Sequence, residues 1–147
     1  MSDKYYKILA QLLNKLIKDG KKSLALKYFF LFLKDINRFS EELLIPSSVF
    51  FSRALNNIKP VLSVQKFWKG RKVFYLPKLI TREQEVKIAL KWLIKSSNSR
   101  KEKKLNERLT NEILDCYKGT GSTLSKKQNL YDMIIESRPF LNLLIYK

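Results

Sequence analysis

Three lysines, Lys87, Lys91 and Lys95, stand four residues apart, and an adjacent pair, Lys126 and Lys127, follows a glycine-rich segment. On a helix that spacing sets ammonium groups in one row about 6 Å apart, close to the step between phosphates on one RNA strand. A second cluster, Lys66, Phe67, Trp68, Lys69, Arg71 and Lys72, mixes cations with flat rings around Gly70. Cations grip phosphates and rings stack on unpaired bases, although cross-strand ring pairing is an equally available use of Trp68. This is binding chemistry. The 147 residues contain no histidine and one cysteine, Cys116, which excludes Ser-His-Asp and Cys-His catalysis, imidazole metal ligands and an internal disulfide. No cofactor or metal site is expected.

Charge carries the same message. Thirty Lys and Arg against 13 Asp and Glu leave +17, with a pI near 10.0, and such self-repulsion is tolerated most easily beside a polyanion. The basic residues are 23 Lys and 7 Arg, among abundant Ile, Asn, Phe and Tyr. All of these have AT-rich codons, so the lysine excess is a genomic bias as much as a chemical choice. No apolar run reaches the ~18 residues that span a bilayer, and the chain starts straight into helical periodicity without a targeting segment, so no membrane partner is expected.

The elements that must hold these clusters are mainly helical. Tyr5, Ile8, Leu9, Leu12 and Leu16 mark a first helix, stopped by Asp19-Gly20. Lys21-Lys22-Ser23 opens a second, with Ala25, Tyr28, Phe29, Phe32 and Ile36 on one face before a more polar stretch, 37–44. Pro46 begins a third helix with Val49, Phe50, Ala54 and Ile58, and Pro60 ends it. Residues 61–67 and 72–76 then read as a β-hairpin around Trp68 to Arg71. A lone hairpin is marginal in water, so this one must pack on helices or be ordered by a partner, and its cations favour protrusion.

Thr81 and Gln84 form a capping box for a fourth helix running to about Ser97, with Val86, Ala89, Leu90, Leu93 and Ile94 inward. Ser99 and Glu102 form another for a fifth, carrying Leu105, Leu109, Ile113 and Cys116 and closed by Gly119. Ser125 and Gln128 open a sixth, which puts Lys126 and Lys127 in its first turn against the helix dipole. Arg138-Pro139 breaks it, leaving an apolar tail, 140–147. The expected architecture is a single domain, 1–147: a six-helix bundle-like body with one protruding β-hairpin arm, about 60–77, between the third and fourth helices.

That element order, with several short motifs, resembles small-subunit ribosomal protein seven over nearly the whole chain. Asp19-Gly20-Lys21-Lys22-Ser23 is similar to the family's DGKKS, Ile58-Lys59-Pro60 to its VRP, Ala89-Leu90-Lys91-Trp92 to its AMRW, and Lys118-Gly119-Thr120 with Lys126-Lys127 to its KGT…KK. The resemblance implies a structural protein that binds the three-prime major (head) domain of small-subunit rRNA and nucleates head assembly beside neighbouring ribosomal proteins. It implies that the hairpin extends toward exit-site tRNA and mRNA. It places Lys21, Lys22, Lys59, Lys91, Trp92, Lys126 and Lys127 on the rRNA surface, to which the lysine row adds Lys87 and Lys95.

The departures are specific. A basic N-terminal extension is missing, Phe67-Trp68 replace paired arginines in the arm, Gln84 and Glu85 stand where basic residues are usual, and Phe32 fills a normally small site. Codon bias, the absent targeting segment and the missing N-terminal arm together lead to the expectation of an organelle-encoded mitochondrial protein of the matrix ribosome; a plastid or an AT-rich bacterium leaves a similar signature. Two other classes compete with the ribosomal reading. One is a basic helical DNA-binding module that uses the sixth helix, with Lys126, Lys127, Gln128 and Asn129, for recognition. The other is a metal-dependent RNA hydrolase built on Glu83 with Glu85 or Glu112 with Asp115, pairs that read as helix-surface residues short of a dedicated acidic site.

Overall fold

The computed structural model describes residues 2–140; the side chains of residues 2 and 140 and the apolar tail beyond Phe140 lie outside what is described. Six helices and one hairpin follow in order: α1 (Ser2–Leu16), α2 (Lys22–Glu42), α3 (Ser47–Ile58), β1 (Leu62–Lys69), β2 (Lys72–Leu79), α4 (Arg82–Asn98), α5 (Leu105–Lys118) and α6 (Ser122–Glu136), with a 3-10 turn at Arg138–Phe140. The expected mainly α body with a hairpin between the third and fourth helices is therefore what forms.

Helix α5 is the hub, touching α2, α3, α4 and α6, while α1 closes over α2, α3 and α4. The apolar stripes of the sequence all turn inward: Leu12, Phe32, Ile36, Phe50, Ile58, Leu90, Leu93, Leu109 and Ile113 are at most 1% exposed. Phe32 is accommodated by aromatic packing. Its ring lies 6.2 Å from Phe29 and 6.4 Å, edge-on, from Phe51, which in turn meets Tyr5 at 5.9 Å.

Four boundaries differ from the sequence expectation. The polar stretch after Ile36 continues α2 to Glu42, because Phe39 and Ser40 keep one edge turned inward and the remaining polar residues face solvent. The hairpin turn is the two residues Gly70-Arg71, so Trp68 and Lys69 lie in β1, and β2 extends past Pro77 to Leu79. Ser99 does not open α5: it is the αR C-cap of α4, and its hydroxyl donates to the Lys95 carbonyl at 3.1 Å. Helix α5 starts six residues later, after Lys104, without a side-chain cap. Helix α6 starts at Ser122, one turn before Ser125, so Lys126 and Lys127 sit in its second turn and the expected conflict with the dipole is largely relieved.

The capping box at Thr81 does form, with Thr81 accepting from the Gln84 N–H and Gln84 from the Thr81 N–H. Gly119, at φ +83, ends α5 as expected.

Candidate nucleic-acid interface

Lys87, Lys91 and Lys95 are all exposed along α4, while Val86, Ala89, Leu90 and Leu93 on the same helix are buried. The helix thus presents its cations as one outward row. Helix α6 extends that row: the Lys126 ammonium donates to the Ser96 hydroxyl at 2.5 Å and feels the charge of Lys95. Burial, reinforced by Lys95, holds the Lys126 pKa below its ordinary value. Two like charges within one another's field on neighbouring helices are a ready counter-charge for a phosphate.

Lys127 points elsewhere. Its ammonium donates to the Asn57 carbonyl at 2.7 Å, at the C-terminal end of α3, and lies 5.8 Å over the Tyr131 ring. A cation there suits the helix dipole. Burial lowers its pKa also. Lys59, just beyond the same helix end, donates to Asn56 Oδ1 at 3.1 Å. Burial and then Lys4 lower its pKa against an opposing pull from Glu85. Lys21 and Lys22 are exposed at the start of α2, a helix that touches neither α4 nor α6 among the described residues. The structure therefore brings Lys87, Lys91, Lys95 and Lys126 together, sets Lys59 and Lys127 at one end of α3, and leaves Lys21 and Lys22 on a separate element. Trp92, on α4, is half-buried and packs against the core.

What places Lys126 is a buried carboxylate that sequence reasoning took for a surface group. Glu112, on α5, has a fully buried side chain. It accepts from the Thr123 N–H at 3.0 Å, the Thr123 hydroxyl at 2.6 Å and the Ser122 hydroxyl at 3.2 Å, capping α6 from a neighbouring helix. Arg100 closes the other side, its Nη1 donating to Glu112 at 2.8 Å and to Asp115 at 2.7 Å, and its Nε to Glu102 at 3.0 Å.

Burial pushes the Glu112 pKa up, but the bonds from Thr123 and Arg100 outweigh it and leave the carboxyl below its ordinary value. The bonds from Asn111 and Arg100 hold Glu102 down at about 2. Gly121 makes the close approach possible. It adopts φ +103, and a Cβ there would meet Asp115 Cβ at 3.0 Å. Glu112 and Asp115 are thus committed to Arg100 and to a helix end rather than to a metal. Their signal in sequence was faint, since Thr123 lies 11 residues away and Arg100 lies 12. Glu83 and Glu85, the other pair, stand in the first turn of α4, where they suit the dipole. The same packing weakens α6 as a reading helix: Lys127 is turned to the Asn57 carbonyl and the Tyr131 ring, and Gln128 donates to Asp132 at 2.8 Å.

Cys116 is fully buried, and burial pushes its thiol up to about 12, so it is an inert core residue.

The hairpin is anchored at its base and free at its tip. Leu76 is buried, both strands rest on α6, and the Val61 N–H donates to the Tyr131 hydroxyl at 3.2 Å. Toward the tip, Phe67 pairs with Phe74 on one face, and Lys66 and Trp68 stand opposite Tyr75 and Val73 on the other. Trp68 is 67% exposed, and Lys66, Lys69, Arg71 and Lys72 are exposed around it. The tip thus holds exposed rings and cations close together, Lys66 on the face of Trp68 and Lys69 and Lys72 on the other, the mixture that stacking on an unpaired base uses.

Comparison with known proteins gives this surface its context. A family model described as ribosomal protein S7p/S5e matches residues 1–138. The small ribosomal subunit protein uS7 of Mycobacterium sp. (strain KMS) is 34% identical over 133 residues, covering 90% of this chain and 83% of that protein. The uS7 of Geobacter sp. (strain M21) is 34% identical over 135 residues, covering 91% and 84%. That of Kosmotoga olearia is 30% identical over 126 residues, covering 86% and 79%. With the helical order, the hairpin and the outward lysine row all in place, the chain belongs to the ribosomal protein S7p/S5e family.

Proposed function

We propose that this chain, a non-catalytic, rRNA-binding component of the small ribosomal subunit, docks on the head domain of the rRNA chiefly through the α4–α6 surface. Lys87, Lys91, Lys95 and Lys126 would neutralise phosphates there, while Lys59, Lys127, Lys21 and Lys22 would contact RNA on separate edges. The observation that carries this reading is the continuation of an exposed lysine row on α4 by a lysine from α6. Recognition would be by shape, because the A-form major groove is too narrow and deep for side chains to read. Holding several RNA helices against one rigid body is how such a protein organises head assembly.

The hairpin arm would then reach toward exit-site tRNA and mRNA. Its support is the free tip, where Trp68 and four cations face solvent together. An organellar, mitochondrial ribosome is the proposed setting, supported by the 23 Lys against 7 Arg; the relatives named above are bacterial.

Binding of the purified protein to a head-domain transcript, across a salt series and beside equal lengths of unrelated duplex RNA and DNA, tests the docking. The expected result is at least about a tenfold preference, or about 1.4 kcal/mol, with a log-log salt slope of roughly −0.7 to −0.9 per phosphate neutralised. Equal affinity for all three ligands would overturn it.

A further inference from the structure

A groove of about 380 Å³ separates the N-terminal half of α1 from α3, and its chemistry is unlike that of the lysine row. Tyr5, Ile8, Val49 and Leu55 give it an apolar floor. Ser48, Ser52 and Asn56, spaced by four on α3, line one wall with hydroxyl and amide groups. Lys4, Arg53 and Lys59 stand at its rim, and no carboxylate is among the residues that line it. The size falls within the ~300–1,000 Å³ usual for ligand sites.

The three cations come from α1, from α3 and from the segment leading into the hairpin, so their convergence is a product of the fold rather than of a run in the chain. It carries a cost. Lys59 is partly desolvated and lies within the field of Lys4, and both lower its pKa, with Glu85 of α4 opposing them from outside the groove. An anion seated between the cations would remove that conflict.

We propose that this groove binds one unpaired ribonucleotide of the bound RNA, with its phosphodiester on Lys4, Arg53 and Lys59, its ribose hydroxyl on Ser52 or Asn56, and its base over Tyr5 and Val49. Each part of the groove then has a use. A free phosphate would leave the apolar floor exposed, and an acidic peptide would use only the rim. Lys59 also joins the groove to the base of the hairpin, three residues before β1 begins. The proposal rests on the rRNA-binding reading for the source of the RNA, not for the groove's ability to hold a nucleotide.

Nuclear magnetic resonance on the full chain tests it, with single-stranded pentauridylate as probe and pentaglutamate and inorganic phosphate as comparators. The amides of Ile8, Ser52, Asn56 and Lys59 are expected to shift with the RNA. Those shifts should vanish in the Lys4→Gln/Arg53→Gln variant, whose substituted side chains are exposed, while amides near Lys91 still respond. The Lys59 ammonium should titrate at higher pH when RNA is bound.

Silent groove amides in the unsubstituted protein, or equal shifts with either comparator, would overturn the proposal. A second measurement separates it from the docking reading. With the head-domain transcript, the double variant should lower the magnitude of the salt slope by about 1 for each phosphate no longer neutralised. Preference for the head RNA with an unchanged slope in the variant would remove the groove and leave the docking. Groove shifts without head preference would do the reverse.

Discussion

The junction of α5 and α6 and the hairpin arm both present cations, and they hold them in opposite ways. At the junction, one buried carboxylate accepts three bonds from the start of α6 and is closed by Arg100, so Lys126 is fixed beside Lys95 before any RNA arrives. On the arm, two strands and a Gly70-Arg71 turn carry Trp68 and four cations with only Leu76 buried beneath them. The first is a preorganised surface, whose ordering cost is met on folding; the second is held by α6 at its base and leaves the side chains of its tip in solvent. One set of cations is fixed by buried bonds, and the other stands on side chains that are free to move in solvent.

The contrast breaks most visibly at Glu112. Glu112→Ala would leave Arg100 and the Thr123 N–H without their buried partner, a change worth about 3–5 kcal/mol. Urea unfolding should show that loss, with a weaker preference for head RNA as α6 loosens. Acid should mimic it. Glu112 and Glu102 titrate in the folded state below their ordinary 4.5, so the unfolded chain binds more protons and stability falls as pH falls from about 4.5 toward 2. Their contribution is fully present above that window. Unfolding midpoints measured at pH 7 and pH 3 should differ more in the unsubstituted protein than in Glu112→Ala.

Gly121→Ala attacks the same junction through the backbone. A positive φ and a Cβ 3.0 Å from Asp115 should together cost about 1–3 kcal/mol, read from the same unfolding curves.

Trp68→Ala should do the reverse. With its ring 67% exposed, unfolding should move by less than about 0.5 kcal/mol, while binding of single-stranded RNA by the arm should lose about 1–3 kcal/mol. A large stability loss would mean that the arm is a packed element, and the contrast would collapse.

The smallest effects sharpen the boundaries. Thr81→Ala should cost about 1 kcal/mol, and Ser99→Ala less than about 0.5 kcal/mol, because Ser99 ends α4 rather than opening α5. Equal losses would restore the capping role at Ser99.

The two regions were legible to different degrees. The outward row at Lys87, Lys91 and Lys95 was readable because one helix period orders it, and so was the hairpin, because β-branched and aromatic residues flank a glycine turn. Thr81 was read correctly as a cap since both partners lie within three residues. Ser99 with Glu102 showed the same spacing and failed: Glu102 is taken by Arg100 and Asn111, and the Ser99 hydroxyl turns back to Lys95. The start of α6 was misplaced by a turn because its cap, Glu112, comes from another helix.

By itself the sequence determined the class of partner, the helical body, the position of the arm and the family motifs, since charge, period and turn chemistry are local and additive. Only the tertiary structure decided which lysines share a surface, that Glu112 is a buried cap rather than a surface acid, and that Lys4, Arg53 and Lys59 meet over one groove. Those facts depend on contacts between residues 11 to 55 positions apart, and the free energy of such contacts is set by burial and geometry that no local pattern encodes.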